Sequence, residues 1–260
     1  MGGSNNSFLQ RGEGHNVAYR FQAGAGPCVL WLGGFASDMT GTKAQTLADW
    51  AASKDRAFLR FDYFGHGAST GAFAEGTIGR WRDDALAVMD QLVDGETVLV
   101  GSSMGGWIAC LLALARPERV KALVLIAPAA DFTEKLIWPR LTDEQRHEIM
   151  TEGSWTRPST YEPEGLPFTR ALIEDGARWS ILPGPAPIQV PVRIVQGGED
   201  EDVPWRHALG LHQALESRDT VFTLIKDGDH RLSRPQDLER IVQAVEEVCG
   251  SSDLALESRD

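Results

Sequence analysis

The sequence predicts an α/β fold built on a mostly parallel sheet with helices on both faces. Short apolar runs alternate with amphipathic stretches along most of the 260 residues, a length that allows one large domain with an insertion or two small domains. Runs such as 28–32 and 120–127 are apolar throughout, as strands are when both faces of a parallel sheet are covered. Strands and helices alternating at this spacing indicate a parallel sheet.

In chain order, we expect an early edge strand at 17–22 and further strands at 28–32, 57–62, 98–100, 120–127, 192–196 and 221–225. Helices are expected at 42–53, 78–93, 108–115, 204–215 and 235–248. The second of these helices places Ile78, Trp81 and Val88 near one face, which is typical of a helix packed on a sheet. The third ends near Arg116, because Pro117 disfavours helical backbone in the residue before it.

The alternation stops at Pro128. Between 128 and 190 the sequence predicts no strand, only short helices near 143–152 and 168–178, and the segment is rich in proline, charge and tryptophan. An insertion of this length in a compact domain is usually a lid or a binding region, and a surface elaboration without a role is the alternative. We therefore expect a core of 8–127 and 191–250, a lid at 128–190 and a loose polar tail at 251–260.

Composition argues against several functional classes. The net charge of −12 argues against nucleic acid and anionic membrane surfaces as partners, because both need a basic patch. The longest apolar run, 107–115, is about half the length of a membrane span, and residues 1–10 lack the basic and apolar parts of a secretory signal. The three cysteines are far apart and show no disulfide or metal-ligand spacing. We expect a reducing, cytoplasmic location and neither a metal nor an organic cofactor.

The clearest chemical motif is Gly101-Ser102-Ser103-Met104-Gly105, a Gly-x-Ser-x-Gly sequence. A β-branched run precedes it and an apolar helical pattern follows, which is the context of a nucleophile elbow. Ser103 would stand at a helix N-terminus, where free backbone N–H groups stabilise a developing negative charge. A plain glycine-rich turn between strand and helix is the alternative interpretation.

A serine hydroxyl needs a base, and the base needs an acid that orients it. In a parallel sheet, reactive groups gather at the carboxyl ends of strands. Asp200 follows the predicted strand at 192–196, and His230 follows the strand at 221–225. Ser103, Asp200 and His230 thus occur in the nucleophile, acid, base order of α/β-hydrolases. Alternative acids in the same loop are Asp202 first, then Glu199 and Glu201.

The oxyanion hole of such a site needs two backbone donors. We expect one from the N–H of Met104, directly after the nucleophile, and the other from Phe35 in the loop after the strand at 28–32. The alternative for Phe35 is an ordinary strand-to-helix turn. The glycine-rich turn at 64–69, which contains His66, is predicted to brace the mouth of the site, and Trp107 to pack in the core.

Four motifs in chain order resemble the α/β-hydrolase superfamily: Gly33-Gly34-Phe35, 62–69, 101–107 and 197–204. More narrowly, the chain resembles the alpha/beta-hydrolase domain protein ten family, through 41–44, 101–107, 115–118, 200–205 and 229–231. That resemblance implies serine hydrolysis of acyl thioesters, including protein depalmitoylation, and of acyl glucuronides. It implies that Ser103 is the nucleophile, Asp200 the acid and His230 the base. It also implies a mitochondrial address, but no Arg-rich, acid-poor segment precedes the predicted fold.

We therefore predict a serine esterase or thioesterase that works through an acyl-enzyme and prefers apolar acyl groups. Its expected partner is a small ester or thioester, or an acylated protein. A carbon–carbon bond hydrolase of ring-cleavage products would use the same fold and triad and is the first alternative. A non-catalytic binding protein on the same fold is the second. The sequence makes no prediction of oligomeric state.

Overall fold

The structure is a computed structural model that describes residues 6–158, 165–182 and 184–250. Its main sheet has eight strands among these residues: β1 (Ser7–Gln10), β2 (Asn16–Gln22), β3 (Ala25–Leu32), β4 (Arg56–Phe61), β5 (Thr97–Ser102), β6 (Val120–Ile126), β9 (Val192–Gly197) and β10 (Thr220–Ile225). A separate antiparallel pair consists of β7 (Ser154–Arg157) and β8 (Leu166–Thr169). The strand order in the main sheet is β1-β2-β4-β3-β5-β6-β9-β10.

Six of the eight strands run parallel. β1 pairs antiparallel with β2, and β2 pairs antiparallel with β4, whereas all pairs from β4 to β10 are parallel. The predicted mostly parallel α/β sheet is therefore confirmed. The strand predicted at 17–22 is not at the edge, because Ser7–Gln10 pairs outside it. That prediction was wrong because β1 has only four residues, of which Phe8 is exposed, so it carries little hydrophobic signal.

The helices cover both faces of the sheet. They are α1 (Thr42–Ser53), α2 (Ile78–Leu92), α3 (Met104–Ala115), α4 (Asp143–Glu152), α5 (Arg170–Arg178), α6 (Trp205–Ala214) and α7 (Pro235–Gly250). Successive residues of β5 serve opposite faces: Val98 and Val100 pack with α1 and α7, while Leu99 packs with α2, α3 and α6. Because β5 is buried on both faces, the run at 98–100 shows no polar position.

The segment 128–190 lies between β6 and β9 and contains α4, α5, β7 and β8. The expectation that it holds no strand was wrong. β7 and β8 have four residues each and are only partly buried, so neither shows a clear alternating pattern. The helix expected at 168–178 begins later, at Arg170, because Thr169 is its N-cap and accepts a hydrogen bond from the Leu172 N–H. The predicted tail at 251–260 lies outside the described residues.

Asp131 joins the two ends of this segment. Its carboxylate is fully buried and accepts hydrogen bonds from the Ser180 hydroxyl and from the N–H groups of Ile181 and Leu182, both at 2.9 Å. The indole Nε1 of Trp107 in α3 also donates to the Trp179 carbonyl, at 3.2 Å. A carboxylate is stable in a buried position only when it is hydrogen-bonded. The burial of Asp131 therefore depends on its three donors at 180–182.

We predict that Asp131→Ala lowers the free energy of unfolding by about 2 kcal/mol, because it leaves three partly buried donors at 180–182 without their acceptor. Urea unfolding followed by circular dichroism measures this change. Asp143→Ala is a matched control in the same segment, since the Asp143 side chain is 95% exposed and its loss should change the free energy by no more than about 0.5 kcal/mol. Equal stability of the two variants would contradict the role assigned to Asp131.

Candidate active site

Ser103 stands in a strained turn between a strand and a helix. β5 ends at Ser102, α3 begins at Met104, and Ser103 between them has φ 55° and ψ −118°. A positive φ in a residue with a side chain costs about 1–3 kcal/mol and is maintained only by surrounding contacts. Here the Ser103 N–H donates to the Ile126 carbonyl at 2.8 Å, and the Ser103 carbonyl accepts from Gly106 and Ala129. The geometry is that of a nucleophile elbow.

The glycines of the motif allow this turn to close. A Cβ built on Gly105 would collide with the carbonyl oxygen of Leu32 in β3, and one built on Gly101 would collide with the Gly105 backbone. The start of α3 therefore packs directly against the ends of β3 and β5. These close approaches explain both glycines of Gly-x-Ser-x-Gly.

Three predicted side chains form one chain of hydrogen bonds. The His230 Nε2 atom lies 3.1 Å from the Ser103 Oγ, and the His230 Nδ1 atom lies 2.8 Å from an Asp200 carboxylate oxygen. A carboxylate can only accept, so Nδ1 carries the proton and Nε2 accepts from the serine hydroxyl. The Asp200 side chain is fully buried, whereas that of His230 is 25% exposed. The His230 imidazole is thus accessible to solvent, whereas the Asp200 carboxylate is not.

Asp200 is the carboxylate of its loop that contacts His230. Its other carboxylate oxygen accepts from the Val203 N–H at 2.8 Å, which closes the loop around it. Glu199, Glu201 and Asp202 are exposed, and only Asp202 of these lines the cavity described below. Burial and backbone contact distinguish Asp200 from these alternatives.

Gln196 is a buried partner of Asp200 that the sequence analysis missed. Its side-chain Nε2 lies 3.0 Å from the Asp200 Oδ2 and 3.0 Å from the Val203 carbonyl, and the residue is fully buried at the end of β9. The nitrogen faces three acceptors, including the Gly197 carbonyl, which fixes the orientation of the amide. The signal was available: Gln196 is an uncharged polar residue at the end of an apolar strand, four positions before the acid.

The loop of the second expected oxyanion donor lies beside Ser103. A Cβ built on Gly34 would be 3.4 Å from the Ser103 Cβ, so the loop that leads to Phe35 passes the hydroxyl closely. Among the described residues, the N–H groups of Phe35 and Met104 have no hydrogen-bond acceptor. Met104 is the first residue of α3, where an N–H has no partner within the helix.

The His66 side chain holds the loop that contains Phe35 and Ala36. Its Nε2 accepts from the Ala36 N–H at 3.2 Å, and its Nδ1 lies 3.0 Å from the Phe64 carbonyl and donates to it. This pattern requires a neutral imidazole protonated on Nδ1. Burial lowers the pKa of His66, although the Phe64 carbonyl and the charge of Asp84 oppose that effect. The predicted bracing turn at 64–69 thus acts through a histidine side chain.

The Phe35 side chain connects the core to the inserted segment. Its ring stacks on Phe168 of β8 at 5.5 Å between centroids and meets Phe132 edge-on at 5.6 Å. From the core it contacts Phe73 at 4.9 Å and the fully buried Trp81 at 5.8 Å. Trp107, predicted to pack in the core, is also fully buried. The position of the Phe35 loop therefore depends on packing from both sides.

A cavity of about 590 Å³ opens above Ser103 and His230. Its apolar wall comes largely from the inserted segment, through Phe132, Leu136, Ile137, Leu166 and Phe168. Its polar and charged lining comes from both parts of the chain, with Arg140 and Arg157 in the inserted segment and Ser37, Asp38, Thr42, Lys43, Arg231 and Ser233 in the core. The cavity beside Ser103 therefore combines apolar side chains with charged ones.

The cysteines offer no second nucleophile. Cys28, Cys110 and Cys249 are all buried and unpaired. Burial raises the pKa of the Cys28 and Cys110 thiols to about 12, so neither forms a thiolate near neutral pH.

Comparison with known proteins agrees with this geometry. Residues 27–154 match the family model described as serine aminopeptidase, S33. The palmitoyl-protein thioesterase ABHD10 of Mus musculus, a mitochondrial protein, is 38% identical over 245 residues, which are 93% of this chain and 82% of that protein. The chain belongs to the α/β-hydrolase superfamily. Its resemblance to the alpha/beta-hydrolase domain protein ten family, read from motifs, is confirmed.

Solved structures place this hydrolase in the same family. The structure of mouse alpha/beta hydrolase domain-containing protein 10 covers 97% of this chain and 99% of its own, with 38% identity and a TM-score of 0.84. A protein of Agrobacterium vitis S4 named only as a hydrolase has 46% identity and a TM-score of 0.90, covering 94% of this chain and 98% of its own.

A more distant sequence relative has a different activity in its name. The 2-hydroxymuconate semialdehyde hydrolase of Pseudomonas sp. strain CF600 is 35% identical over 73% of this chain and 76% of its own length.

No helix in the described part of this hydrolase is both long enough and apolar enough to cross a bilayer.

We predict that His66→Leu lowers the free energy of unfolding by about 2 kcal/mol near pH 7, since it leaves the Ala36 N–H without its acceptor and removes one of two side-chain donors to the Phe64 carbonyl, which keeps the Trp81 indole N–H at 3.1 Å. It should also flatten the pH dependence of stability. The folded pKa of His66 is lowered, so the unfolded chain binds the proton first as the pH falls below about 6.5. The wild-type free energy of unfolding therefore declines as the pH falls below about 7.

Urea unfolding at several pH values measures this slope. The slope in His66→Leu should be smaller but not zero, because burial also lowers the pKa of His207. His147→Gln is the control, since His147 is exposed on α4 and its replacement should leave the slope unchanged. A variant slope equal to that of the wild type would contradict the role of a neutral His66.

Proposed function

We propose that this hydrolase cleaves carboxylic thioesters and esters through an acyl-enzyme formed on Ser103. The observation that carries the proposal is the hydrogen-bonded series Asp200, His230, Ser103 at the base of a cavity. A serine hydroxyl is a weak nucleophile, and a neutral imidazole within hydrogen-bond reach is the group that activates it. Asp200 holds the imidazole in the required tautomer and stabilises the imidazolium that forms.

The reaction proceeds in two halves. In the first, Ser103 Oγ attacks the acyl carbonyl while its proton passes to His230 Nε2, and the tetrahedral intermediate collapses as His230 gives that proton to the departing thiol or alcohol. In the second, a water molecule gives its proton to Nε2 and attacks the acyl-enzyme, which releases the carboxylic acid and restores the serine. The N–H groups of Met104 and Phe35, which have no acceptor among described residues, are suited to bind the oxyanion.

The proposed acyl group is apolar, and the segment 128–190 is its lid. The apolar part of the wall that this segment contributes includes two phenylalanine, two leucine and one isoleucine side chain. Burying apolar surface is worth about 25 cal/mol per Å², so a longer acyl chain gains binding energy there. The name of the mouse relative, a palmitoyl-protein thioesterase, favours a thioester and a long chain. An acylated protein is accordingly a second form of substrate.

A carbon–carbon bond hydrolysis is the second candidate function. It is favoured by the 35% identity to 2-hydroxymuconate semialdehyde hydrolase, which extends over 73% of this chain. The same serine, histidine and aspartate would serve that reaction, so the arrangement of these side chains does not discriminate between the two. The large apolar wall of the cavity favours an acyl chain over a compact ring-cleavage product.

We predict that Ser103→Ala and His230→Ala lower kcat by roughly 10⁵-fold and that Asp200→Asn lowers it by about 10⁴-fold. The measurement is the hydrolysis of p-nitrophenyl esters and S-acyl-N-acetylcysteamine thioesters with acyl chains of two to about sixteen carbons. Ser53→Ala and His147→Gln are matched controls, because Ser53 lies at the exposed end of α1 and His147 on α4. Both controls should retain wild-type rates.

Inactive wild-type protein across this panel would contradict acyl hydrolysis. Turnover of a ring-cleavage diketone by that same protein would then support the second candidate. Inactivity on both acyl substrates and ring-cleavage diketones would favour a non-catalytic binding protein with a hydrolase fold. Wild-type turnover that survives Ser103→Ala would contradict the assigned nucleophile.

We predict that Gln196→Leu lowers kcat about tenfold and leaves KM close to the wild-type value. Gln196 holds the Asp200 oxygen that contacts His230, so its loss allows the carboxylate to move relative to the imidazole. Gln91→Leu near the end of α2 is the control, because Gln91 is exposed. A kcat equal to that of the wild type would contradict this role.

A further inference from the structure

The inserted segment contacts the loop that carries Asp200 through an arginine. This loop, residues 198–204, is called the acid loop below. The Arg140 guanidinium donates to the carbonyl of Glu201, the residue after Asp200, at 3.2 Å. Among the described residues, no other hydrogen bond reaches the backbone of 201–202. The outer side of the acid loop is therefore held by a residue of the inserted segment.

Arg140 ends a short helical stretch that also lines the cavity. A π turn (Thr133–Ile137) runs directly into a 3₁₀ turn (Trp138–Arg140). Leu136 and Ile137 of the π turn belong to the apolar wall of the cavity. Such π turns are rare and occur frequently at functional sites. The wall side chains and the arginine that holds the acid loop thus belong to one continuous stretch of backbone.

The π turn and the 3₁₀ turn are braced by the two helices of the inserted segment. Arg146 of α4 donates to the Trp138 carbonyl at 3.1 Å and to the Pro139 carbonyl at 3.4 Å. Thr133 is fully buried against Gly176 of α5, where an added Cβ would collide with the threonine hydroxyl. Packed elements transmit displacements. A shift of the π turn at the cavity is therefore passed on to the arginine at the end of the 3₁₀ turn.

The first residues of the inserted segment are fixed to the core instead. The Ala129 N–H donates to the Ser103 carbonyl at 3.1 Å, and the His207 Nε2 donates to the Ala130 carbonyl at 2.7 Å. Asp131 binds the other end of the segment at 180–182. These contacts precede the π turn in the chain. They hold the base of the segment, while the π turn faces whatever fills the cavity.

An acyl chain in the cavity favours the arrangement in which the π turn covers it. Burial of apolar surface is favourable in proportion to its area, so an octanoyl chain favours the covered arrangement more than an acetyl group does. The acyl group remains on Ser103 in the acyl-enzyme, so this preference acts in both halves of the proposed reaction. Binding energy from the unreactive end of a substrate can in this way raise kcat.

We propose that Arg140 is a positioning residue that couples the acyl chain to the triad. When the chain packs on the π turn, Arg140 is held against the Glu201 carbonyl, and the acid loop keeps Asp200 in contact with His230. Arg140 acts through the acid loop and does not touch the reacting atoms. The proposal rests on the proposed function, because it concerns the same acyl-enzyme reaction. It adds a dependence of kcat on acyl length that the triad alone does not explain.

The test compares S-acetyl- and S-octanoyl-N-acetylcysteamine, two uncharged thioesters that differ only in acyl length. Because both are neutral, the charge of Arg140 does not select between them. We expect a wild-type kcat about tenfold higher for the octanoyl thioester, the size of effect that one hydrogen bond to a charged donor can produce. Arg140→Met removes that bond and should bring the ratio of the two kcat values close to one, without raising KM for the octanoyl thioester.

Arg170→Met is the matched control. Arg170 belongs to α5 of the same inserted segment and pairs with Glu174 at 2.6 Å. Its side chain is 51% exposed and does not line the cavity. This substitution removes the same charge from the same segment and should keep the wild-type ratio of kcat values.

A second measurement follows the acid loop directly. In Ser103→Ala protein, which retains the bound thioester, amide hydrogen exchange of residues 199–205 should slow when S-octanoyl-N-acetylcysteamine is added. The S-acetyl thioester should slow it less. In the double variant Ser103→Ala, Arg140→Met, the octanoyl thioester should no longer slow exchange in the acid loop.

A wild-type kcat that does not change with acyl length would overturn the coupling, and turnover of both thioesters would leave the proposed function standing. A ratio that Arg140→Met leaves unchanged would also overturn it. So would an Arg140→Met variant that loses kcat equally on both thioesters, since that pattern indicates general damage to the site. Exchange that slows equally with and without Arg140 would contradict the role of the acid loop. If wild-type protein hydrolyses neither thioester, the proposed function has failed and the coupling fails with it.

Discussion

The candidate site depends on the parallel alignment of β5, β6, β9 and β10. Parallel strands bring their carboxyl ends to one edge of the sheet, and Ser103, Asp200 and His230 each follow the end of a different strand. Ser103 and His230 are 127 positions apart in the chain, yet their side-chain atoms lie 3.1 Å apart. No local feature of the sequence could produce that distance. It follows from the register of these parallel strands, of which β5, β6 and β9 are largely buried and β10 forms the edge of the sheet.

Burial of Asp200 at this edge is tolerated because its carboxylate has several partners. Asp200 is a buried carboxylate, and it is held by the Val203 N–H, the Gln196 amide and the His230 imidazole. An unpaired buried charge would cost several kcal/mol, so these contacts are required by the fold as well as useful to chemistry. Glu199, Glu201 and Asp202 in the same loop are exposed, so water can solvate their charges and no buried partner is required.

The inserted segment contributes packing to the site as well as a wall. Phe168 and Phe132 contact the ring of Phe35, whose backbone loop passes beside Ser103, while His66 fixes the same loop through the Ala36 N–H. Protein interiors are close-packed and transmit displacements, so the loop cannot move without the insertion and the core adjusting together. The apolar wall of the cavity and the loop beside Ser103 are thereby coupled by one aromatic cluster.

The sequence by itself determined the class of the sheet, most element positions and the three side chains that meet at its edge. Apolar periodicity identifies buried strands and amphipathic helices, and α1 at Thr42–Ser53 and α4 at Asp143–Glu152 begin and end where the pattern predicts. Position after a strand end identified Ser103, Asp200 and His230, because the topology of a parallel sheet makes that position chemically meaningful.

Only the tertiary structure decided the rest, because the rest depends on contacts between distant residues. β1, β7 and β8 have four residues each and are defined by their partners rather than by their own pattern. Gln196, His66 and Asp131 are ordinary polar residues in sequence, and their roles come from the carboxylate, the N–H or the chain segment that folding places against them. The mixture of apolar and charged side chains around the cavity likewise arises because the inserted segment and the core both line it.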